Sequence, residues 1–374
     1  GGEHPKPRGS VGNVVVVLTY DPRYAGAIRY NEFSGAIEYQ GARIRDVDEA
    51  IVAMEVAEAY GLHVSSAKAS EAMMIVAERH RYHPVREYLE RLRWDGQGRL
   101  AGWLHRYMEA PSDSLVSEFG LRWMIGAVAR VMRPGCKMDN TLILVGAQGA
   151  RKSTALRTLA GGWFADATID VRNKDAYAAL DGVWVYEWGE LDNMRRADST
   201  AIKSYLTSQV DHYRPAYGRH VVQVPRQTVF VGTTNEDTFL TDSTGSRRFW
   251  PVTVGRIDLP GLEAARDQLW AEALVQYRAG ERWWLDEETE AARAEDAAGY
   301  SHVDPWTQPI EAFVRLSAPC SVADVLSRAL DKPAQQQTRA DAMRVAGILQ
   351  ELGLVKQRVS MGGRREVVWR VSTT

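Results

Sequence analysis

Residues 142–154 read Leu142-Ile143-Leu144-Val145-Gly146-Ala147-Gln148-Gly149-Ala150-Arg151-Lys152-Ser153-Thr154. The short apolar run predicts a buried strand, and the residues through Leu159 have the pattern of a helix. A strand that turns through glycines into a helix directs backbone N–H groups and the positive end of the helix dipole at one point, which suits a polyphosphate. This segment therefore predicts a phosphate-binding loop in an α/β domain.

The loop matches the pattern Gly-x-x-x-x-Gly-Lys-[Ser/Thr] except at one position, Arg151, where a glycine is expected. In that pattern Lys152 reaches the β- and γ-phosphates and Ser153 holds Mg²⁺. The residues expected to bind the nucleotide are Gly146, Gln148, Gly149, Ala150, Arg151, Lys152, Ser153 and Thr154.

Arg151 leaves two interpretations open. Glycine at this position lets the backbone adopt dihedral angles, or approach the phosphates, in ways that a side chain opposes. In the first interpretation, Arg151 prevents this backbone conformation and the loop has lost nucleotide binding. In the second, the Arg151 side chain turns outward or joins the phosphate contacts, and the loop still binds a nucleotide. A strand-to-helix turn that resembles the pattern by chance is the third reading of the segment.

Polar side chains follow two further predicted strands. Val183–Tyr186 is followed by Glu187, Glu190 and Asp192. A carboxylate at the end of a buried strand beside a phosphate loop can bind Mg²⁺ through water and polarise an attacking water. Only one of Glu187 and Glu190 is expected to point correctly, and a solvated acidic turn is the alternative. The cluster 233–235, Thr-Thr-Asn, suits the orientation of a water at the γ-phosphate.

Two cationic segments complete the set. Arg247 and Arg248 precede the predicted strand Phe249–Val254, a position from which a neighbouring subunit could supply charge to the transition state; the alternative is ordinary surface charge.

Residues 212–222 predict a hairpin, and residues 212–226 contain three Arg, two His and no acid. Cations interleaved with tyrosines suit single-stranded DNA, and a subunit contact is the alternative. The expected DNA-binding residues are Tyr213, Arg214, Tyr217, Gly218, Arg219 and His220.

Composition fits these motifs. The 374 residues predict two or three domains, and 25% charged with 45% hydrophobic residues is ordinary globular usage. The net charge of −2 means that any nucleic-acid contact comes from local patches. No apolar run is long enough to cross a bilayer, and the polar segment Gly1–Gly12 contains no export signal, so we expect a soluble, cytoplasmic protein. Cys136 and Cys320 lie far apart, which argues against a zinc knuckle or a disulfide framework.

Four regions are predicted. Residues 1–112 form a mainly helical domain with a hairpin at Ala27–Tyr39, and residues 113–256 form a three-layer α/β core. Residues 257–305 form a helical linker or lid, and residues 306–374 have the order of a winged helix. The predicted helices are Asp46–Tyr60, Ser66–Arg79, Val116–Val131, Asp258–Ala298, Val322–Leu330 and Thr338–Leu352, with Val14–Leu18 ambiguous. The predicted strands of the core are Thr141–Val145, Val183–Tyr186, Thr228–Gly232 and Phe249–Val254.

The sequence resembles the virulence-associated protein E family of phage and genomic-island replication proteins, which are superfamily 3-type AAA+ helicases. The resemblance covers most of the chain in a fixed order of segments. These segments are 81–85, 92–96, 133–137, 174–177, 187–192, 213–219, 233–235 and 245–251.

The resemblance implies an AAA+ P-loop NTPase core that binds ATP and Mg²⁺. It implies catalytic or sensor roles for Lys152, Glu187, Glu190 and Asn235, metal binding at Ser153 and Glu187, and an arginine finger at Arg247 or Arg248. It also implies a ring, expected to be a hexamer, whose hairpins line a DNA channel in the cytoplasm of a bacterial host. The primase domain of many relatives has no evident counterpart here, so a separate primase is a candidate partner.

The sequence thus predicts an ATP-dependent DNA helicase motor for replication of a phage or mobile element. One alternative is a DNA-binding initiator that keeps the scaffold but has lost turnover through Arg151, and another is an interaction module that assembles on a partner. Between residues 356 and 370 the chain carries basic residues opposed by Glu366 alone, which favours DNA contact over protein contact. Those residues are Lys356, Arg358, Arg364, Arg365 and Arg370.

Overall fold

The structure is a computed structural model, and it describes residues 8–173, 175–189, 196–214, 221–236, 247–297, 304–361 and 364–371. Tertiary contacts divide the chain into two units. The larger unit contains the described residues up to 297, and the smaller unit contains those from 304 onward.

The N-terminal part of the larger unit packs helices on a small four-stranded sheet, in the order β3-β2-β1-β4. Its elements are α1 (Val11–Tyr20), β1 (Ile28–Asn31), β2 (Ala36–Tyr39), β3 (Ala42–Arg43), α2 (Asp46–Tyr60), α3 (Ser66–Arg79) and β4 (Arg81–Tyr82). The predicted hairpin and both predicted helices are confirmed, and the ambiguous run Val14–Leu18 lies in α1, which Ser10 caps. The apolar faces of these helices form a core of their own, which includes Val14, Val52 and Met73.

Three helices lead from this part to the central sheet: α4 (Pro84–Arg91), α5 (Trp103–Met108) and α6 (Ser114–Met132). Asp113 caps α6, and the predicted helix over Val116–Val131 is confirmed. Side chains from Val85 onward pack in the same hydrophobic core as the central strands. The region boundaries given by the sequence remain predictions.

The rest of the larger unit is an α/β domain around a five-stranded sheet. Its elements are β5 (Thr141–Val145), α7 (Lys152–Ala160), β6 (Phe164–Ala165), α8 (Asp175–Ala178), β7 (Val185–Trp188), α9 (Arg196–Thr207), β8 (Val210–Tyr213), β9 (Val222–Pro225), β10 (Val229–Thr234), β11 (Phe249–Thr253), α10 (Leu259–Arg278) and α11 (Glu287–Ala297). The strand order is β11-β5-β10-β7-β6, and every pairing in this sheet is parallel. The α/β prediction is confirmed.

Several predicted elements differ from the structure. The strand predicted over Thr228–Gly232 spans Val229–Thr234, so Thr233 and Thr234 lie inside β10 and do not follow it. The helix predicted over Val322–Leu330 is α-helical only over Val322–Asp324 and continues as a π turn over Val325–Ala329.

The strand predicted over Val183–Tyr186 begins at Val185 and ends at Trp188, because Val183 still bonds to Leu180 in a turn. The helix predicted over Asp258–Ala298 is two helices, because Gly280 adopts φ +87 just after α10.

Buried tryptophans bind the helices to the sheet. The indole N–H of Trp123 donates to the carbonyl of Phe230, and that of Trp184 donates to Ala127. The indole N–H of Trp270 donates to the carbonyl of Leu159, near the end of α7. These bonds satisfy polar atoms inside the core and hold α7, which follows the phosphate loop, in a fixed position.

The smaller unit packs helices beside a two-stranded antiparallel sheet. Its elements are α12 (Thr307–Ser317), α13 (Val322–Asp324), a π turn (Val325–Ala329), α14 (Arg339–Glu351), β12 (Leu354–Met361) and β13 (Arg364–Val371). Cys320 forms a bridge with Trp369 of β13. Its core includes Ile310, Val345 and Ile348. Across the described parts of both units, no helix combines the length and apolar character needed to cross a membrane.

Candidate nucleotide site

The loop between β5 and α7 has the backbone that the glycine-rich pattern requires. Gly149 adopts φ +81, and a Cβ on Gly146 would lie 2.6 Å from the carbonyl oxygen of Val254. Arg151, which replaces the expected glycine, adopts φ 66 and ψ 27, the left-handed conformation. An L-residue pays roughly 1–2 kcal/mol for this conformation. The loop therefore keeps a glycine-type backbone in spite of the substitution.

The Arg151 side chain is exposed, and the helix that follows begins at Lys152. The first N–H groups of an α-helix have no partner within the helix, so the N-terminal end of α7 suits an anion. The positive dipole end of α7 adds to the attraction.

The Lys152 ammonium lies inside the loop and is 7% exposed. It donates hydrogen bonds to the carbonyl oxygens of Gly146, at 2.6 Å, and Ala147, at 3.0 Å. It also donates to Oδ1 of Asn235, at 3.0 Å, directly after β10. Two residues that the sequence assigns to catalysis, 83 positions apart, are thus in direct contact.

Glu187 connects the loop to the neighbouring strands. Its Oε1 accepts hydrogen bonds from the hydroxyl of Ser153, at 2.7 Å, and from that of Thr233, at 2.6 Å. The side chain is 2% exposed, and its Oε2 is buried with no hydrogen-bond partner among the described residues. Glu187 lies inside β7, opposite Val231 of β10, and does not follow the strand as predicted. Glu190 and Asp192 lie outside the described residues.

The loop, the start of α7 and the end of β10 border one cavity of about 280 Å³, and Glu187 lies behind Ser153 and Thr233 without lining it. It is lined by Gly149, Ala150, Arg151, Lys152, Ser153, Thr154, Thr233, Thr234 and Asn235. Gln148, also expected to bind the nucleotide, lies in the loop itself but does not line this cavity.

The donor set fits a magnesium ion shared with a phosphate. Mg²⁺ is usually held by one or two carboxylates together with substrate phosphates and waters, and not by a cage of protein ligands. The hydroxyl of Ser153 and the unpartnered Oε2 of Glu187 provide such a partial set. No cluster of three or more metal-ligating side chains occurs within the described ranges.

The arginine pair lies at the other end of the sheet. Phe249, which follows Arg248, pairs with Thr141 at the start of β5, whereas Thr253 pairs with Val145 just before the loop. At about 3.3 Å per residue, the length of β5 separates the arginines from the loop by roughly 16 Å. Arg247 and Arg248 therefore do not meet Lys152 within one chain.

A comparison with protein families agrees with this order of elements. The profile of the virulence-associated protein E-like domain matches residues 89–302, more than half of the chain. The chain belongs to this family. The match contains the loop, Glu187, Asn235 and the arginine pair.

Solved structures support the fold of this virulence-associated protein E-like chain. It is similar to an apo structure of the NrS-1 C-terminal region, with 12% sequence identity and a TM-score of 0.53, over 99% of this chain and 100% of that one. A second apo form of the same region matches with 10% identity and a TM-score of 0.52, over 97% and 100% of the two chains. No curated protein sequence matches the chain significantly.

The base of the predicted DNA hairpin is described in this family member, and its tip is not. Strands β8 and β9 pair in antiparallel register, and Arg214 is exposed after β8. Tyr213 is 7% exposed and its hydroxyl donates to Asp181, so its ring is not available to stack on a base, which corrects its assignment to DNA binding. Tyr217, Gly218, Arg219 and His220 lie outside the described residues.

The buried residues that stabilise the base of the β8–β9 hairpin were not predicted from the sequence. The Arg226 side chain is fully buried and forms an ion pair with Asp211, and it also donates to the carbonyl of Tyr205. A buried ion pair needs such additional bonds because desolvation opposes it. Burial raises the pKa of Asp181 to about 6, although the bond from Tyr213 opposes the shift. The local sequence around these charged residues does not indicate that they are buried.

Proposed function

We propose that this chain is an ATP-dependent DNA helicase motor of the superfamily 3-type AAA+ class, which acts in the replication of a phage or mobile element. Family membership supports a role in replication. The assignment as a motor depends on one observation at Glu187. One carboxylate oxygen of Glu187 accepts hydrogen bonds from Ser153 and Thr233. The other oxygen lies beside the predicted phosphate loop and has no hydrogen-bond partner among the described residues.

The sheet supports the NTPase assignment. Numbered by their order in the chain, its strands lie in the order fifth, first, fourth, third, second. The chain leaves β5 toward one edge of the sheet and leaves β10 toward the other. In open α/β sheets, ligands bind outside the carboxyl ends of the strands where the direction of the connections reverses. The loop, Thr233 and Asn235 lie at this point.

The residues of this chain have distinct tasks in the proposal. The loop amides and Lys152 hold the phosphates of ATP, and Asn235 orients the attacking water. Ser153 would hold Mg²⁺ directly and Glu187 would hold it through a water, so the second oxygen of Glu187 stays available to the attacking water. Bound Mg²⁺ neutralises charge on the phosphate oxygens. Glu187 accepts the proton of the water, because its buried carboxylate has one oxygen without a hydrogen-bond partner among the described residues. Glu190 has a supporting acidic role.

Completion of this site requires a second copy of the chain. The arginine pair stands about a strand length from the loop of its own chain, so Arg247 or Arg248 acts on the nucleotide of a neighbour. A ring of identical subunits, which we propose to be a hexamer, supplies this arrangement at every boundary.

The DNA contacts come from two segments. In the segment that joins β8 to β9, the residues proposed to bind a strand in the ring channel are Arg214, Tyr217, Gly218, Arg219 and His220. The smaller unit, proposed as a winged helix, exposes Lys356, Arg358 and Arg370 on its two strands. A primase is the proposed partner, and the host cytoplasm is the proposed location.

One specific observation favours a second candidate. Arg151 holds the left-handed conformation at an energetic cost, so a DNA-binding initiator that keeps the scaffold without turnover also fits the loop.

Mg²⁺-dependent ATP hydrolysis, measured with and without single-stranded DNA, distinguishes the helicase motor from the DNA-binding initiator. A motor shows hydrolysis that DNA stimulates, Lys152→Ala abolishes it while sparing DNA binding, and Arg219→Ala weakens DNA binding while sparing nucleotide binding. Full DNA affinity with no hydrolysis and no heat of nucleotide binding supports the initiator. If Arg219→Ala leaves both DNA binding and unwinding intact, the hairpin assignment fails.

A further inference from the structure

A second cavity of the larger unit lies away from the candidate nucleotide site and has a different chemistry. It measures about 910 Å³ and lies near the start of β5 and β11. Its wall contains four cations and two tryptophans, namely Arg133, Lys137, Arg247, Arg248, Trp283 and Trp284. We refer to it as the Trp284 pocket.

The positive charge of this pocket is only partly balanced. Lys137 lies 3.7 Å from Asp139, and Glu290 accepts a hydrogen bond from Arg293. Arg133 and the arginine pair form no ion pair with any residue in the described part of the chain, and Arg248 has a buried Nε with no partner there. Cations left in this state attract an anion such as a phosphodiester.

The aromatic wall offers a flat apolar surface. Trp283 is half-buried, and its indole N–H donates to the carbonyl of Lys137, which fixes the ring. Trp284 packs edge-on against Trp283 with ring centroids 5.0 Å apart and keeps 47% of its surface exposed. A tryptophan that is held on one side and exposed on the other can stack on a nucleobase.

The pocket adjoins the base of the β8–β9 hairpin. Gln209, directly before β8, lines it. The N–H of Gly135 donates to the carbonyl of Arg226, and the N–H of Arg226 donates to the carbonyl of Gln209. The wall of the pocket and the base of the hairpin are therefore joined by main-chain hydrogen bonds.

We propose that the Trp284 pocket binds single-stranded nucleic acid, with a base stacked on Trp284 and phosphates on Arg133 and Lys137. The inference rests on the proposed function where it takes the hairpin to be a DNA contact, and it does not depend on ATP turnover. The alternative occupant of the pocket is a second copy of the chain.

The test measures binding of fluorescein-labelled oligothymidine to the full chain by anisotropy, without nucleotide. Trp284→Ala is expected to weaken binding by about 5- to 150-fold, because the free energy of stacking one base on an aromatic side chain corresponds to a change in affinity of that size. Trp284→Phe restores most of the affinity, since its ring also stacks. Arg133→Ala weakens binding and lowers the slope of log affinity against log salt by about 0.7, the value for one phosphate contact on a single strand. Tyr20→Ala and Arg106→Ala, which remove an exposed aromatic ring and an exposed cation elsewhere, leave the affinity unchanged.

An affinity of Trp284→Ala within twofold of the parent overturns the proposal, as does an equal loss in Trp284→Phe. A change in assembly of Trp284→Ala without a change in DNA affinity overturns it in favour of a subunit contact. The same series made in a Lys152→Ala background separates the two proposals. A Trp284 effect that persists there supports the pocket even if the chain hydrolyses no ATP. Absence of a Trp284 effect in a parent chain that hydrolyses ATP overturns the pocket alone.

Discussion

The hydroxyl of Ser153 donates to Oε1 of Glu187 over 2.7 Å, although 34 positions separate the two residues. This bond joins the first turn of α7 to β7, and the bond from Thr233 to the same oxygen adds β10. Three elements thus converge on one carboxylate whose other oxygen is unpartnered among the described residues. The predictions below begin from this convergence.

Replacement of Glu187 by glutamine is expected to preserve nucleotide binding and to lower ATP hydrolysis by about 10²- to 10⁴-fold, the usual contribution of a general base. The amide oxygen still accepts from Ser153 and Thr233, so the loop keeps its position while the negative charge is lost. Single-turnover hydrolysis and calorimetry with Mg²⁺ measure the two effects. Glu236→Gln, an exposed acid after β10, serves as the control, and equal loss in both variants would remove Glu187 from the chemistry.

Replacement of Arg151 by glycine relieves the left-handed backbone strain of roughly 1–2 kcal/mol. Greater freedom of glycine in the unfolded chain offsets about 0.4–1 kcal/mol of the gain. We therefore expect the free energy of unfolding to rise by up to about 1.6 kcal/mol in urea titrations.

Arg151→Ala is the matched control, since it removes the charge and keeps the strain. If the guanidinium contacts phosphate, Arg151→Ala weakens ATP binding. A parent without nucleotide binding whose Arg151→Gly variant binds ATP would show that Arg151 disables the loop.

A mixture of two inactive variants is expected to regain ATP hydrolysis. Lys152→Ala chains lack a working loop, and chains with both Arg247 and Arg248 replaced by alanine lack the charge proposed for the neighbour's site. A boundary in a mixed ring can combine Lys152 from one chain with the arginines from the other. Hydrolysis is measured across mixing ratios, with each variant alone as control. Activity that never exceeds the sum of the separate variants would assign the arginines a role within their own chain.

The stability of the chain is expected to depend on pH through Asp181. Burial raises its pKa in the folded chain to about 6, so between about pH 4 and pH 6 the folded chain holds a proton that the unfolded chain has released. Its contribution to the free energy of unfolding therefore decreases as the pH rises through this range.

Asp181→Asn should flatten this part of the pH profile and raise stability near pH 7, because the amide accepts the bond from Tyr213 without a buried charge. Urea titrations from pH 4 to pH 8 measure the effect, with Glu58→Gln, an exposed acid on α2, as control. If the free energy of unfolding of Asp181→Asn changes with pH in the same way as that of the parent chain, Asp181 does not cause the pH dependence.

Much of the fold follows from local patterns in the sequence. The spacing of apolar residues and the caps predict α2, α3 and β5 at their observed ends, because burial and capping act over a few residues. The contact of Lys152 with Asn235 follows from a general rule, since parallel strands end at the same edge of a sheet.

Other features depend on packing between distant residues. β7 starts two residues later than its apolar run, because Val183 is used in a turn, and this places Glu187 inside the strand. The burial of Tyr213, Arg226 and Asp211 depends on partners from separate segments, which local periodicity does not record. The left-handed conformation of Arg151 opposes its own preference and is imposed by the elements on either side.

The bonds of the Lys152 ammonium have a consequence for selectivity. An incoming anion must replace the carbonyls of Gly146 and Ala147 or the amide of Asn235 as a hydrogen-bond acceptor. A weakly charged solute gains too little to displace them, whereas a polyphosphate compensates for each lost bond with a stronger one. In the proposed nucleotide site, the loop would therefore select by charge, and binding of a polyphosphate would release Asn235 at the end of β10.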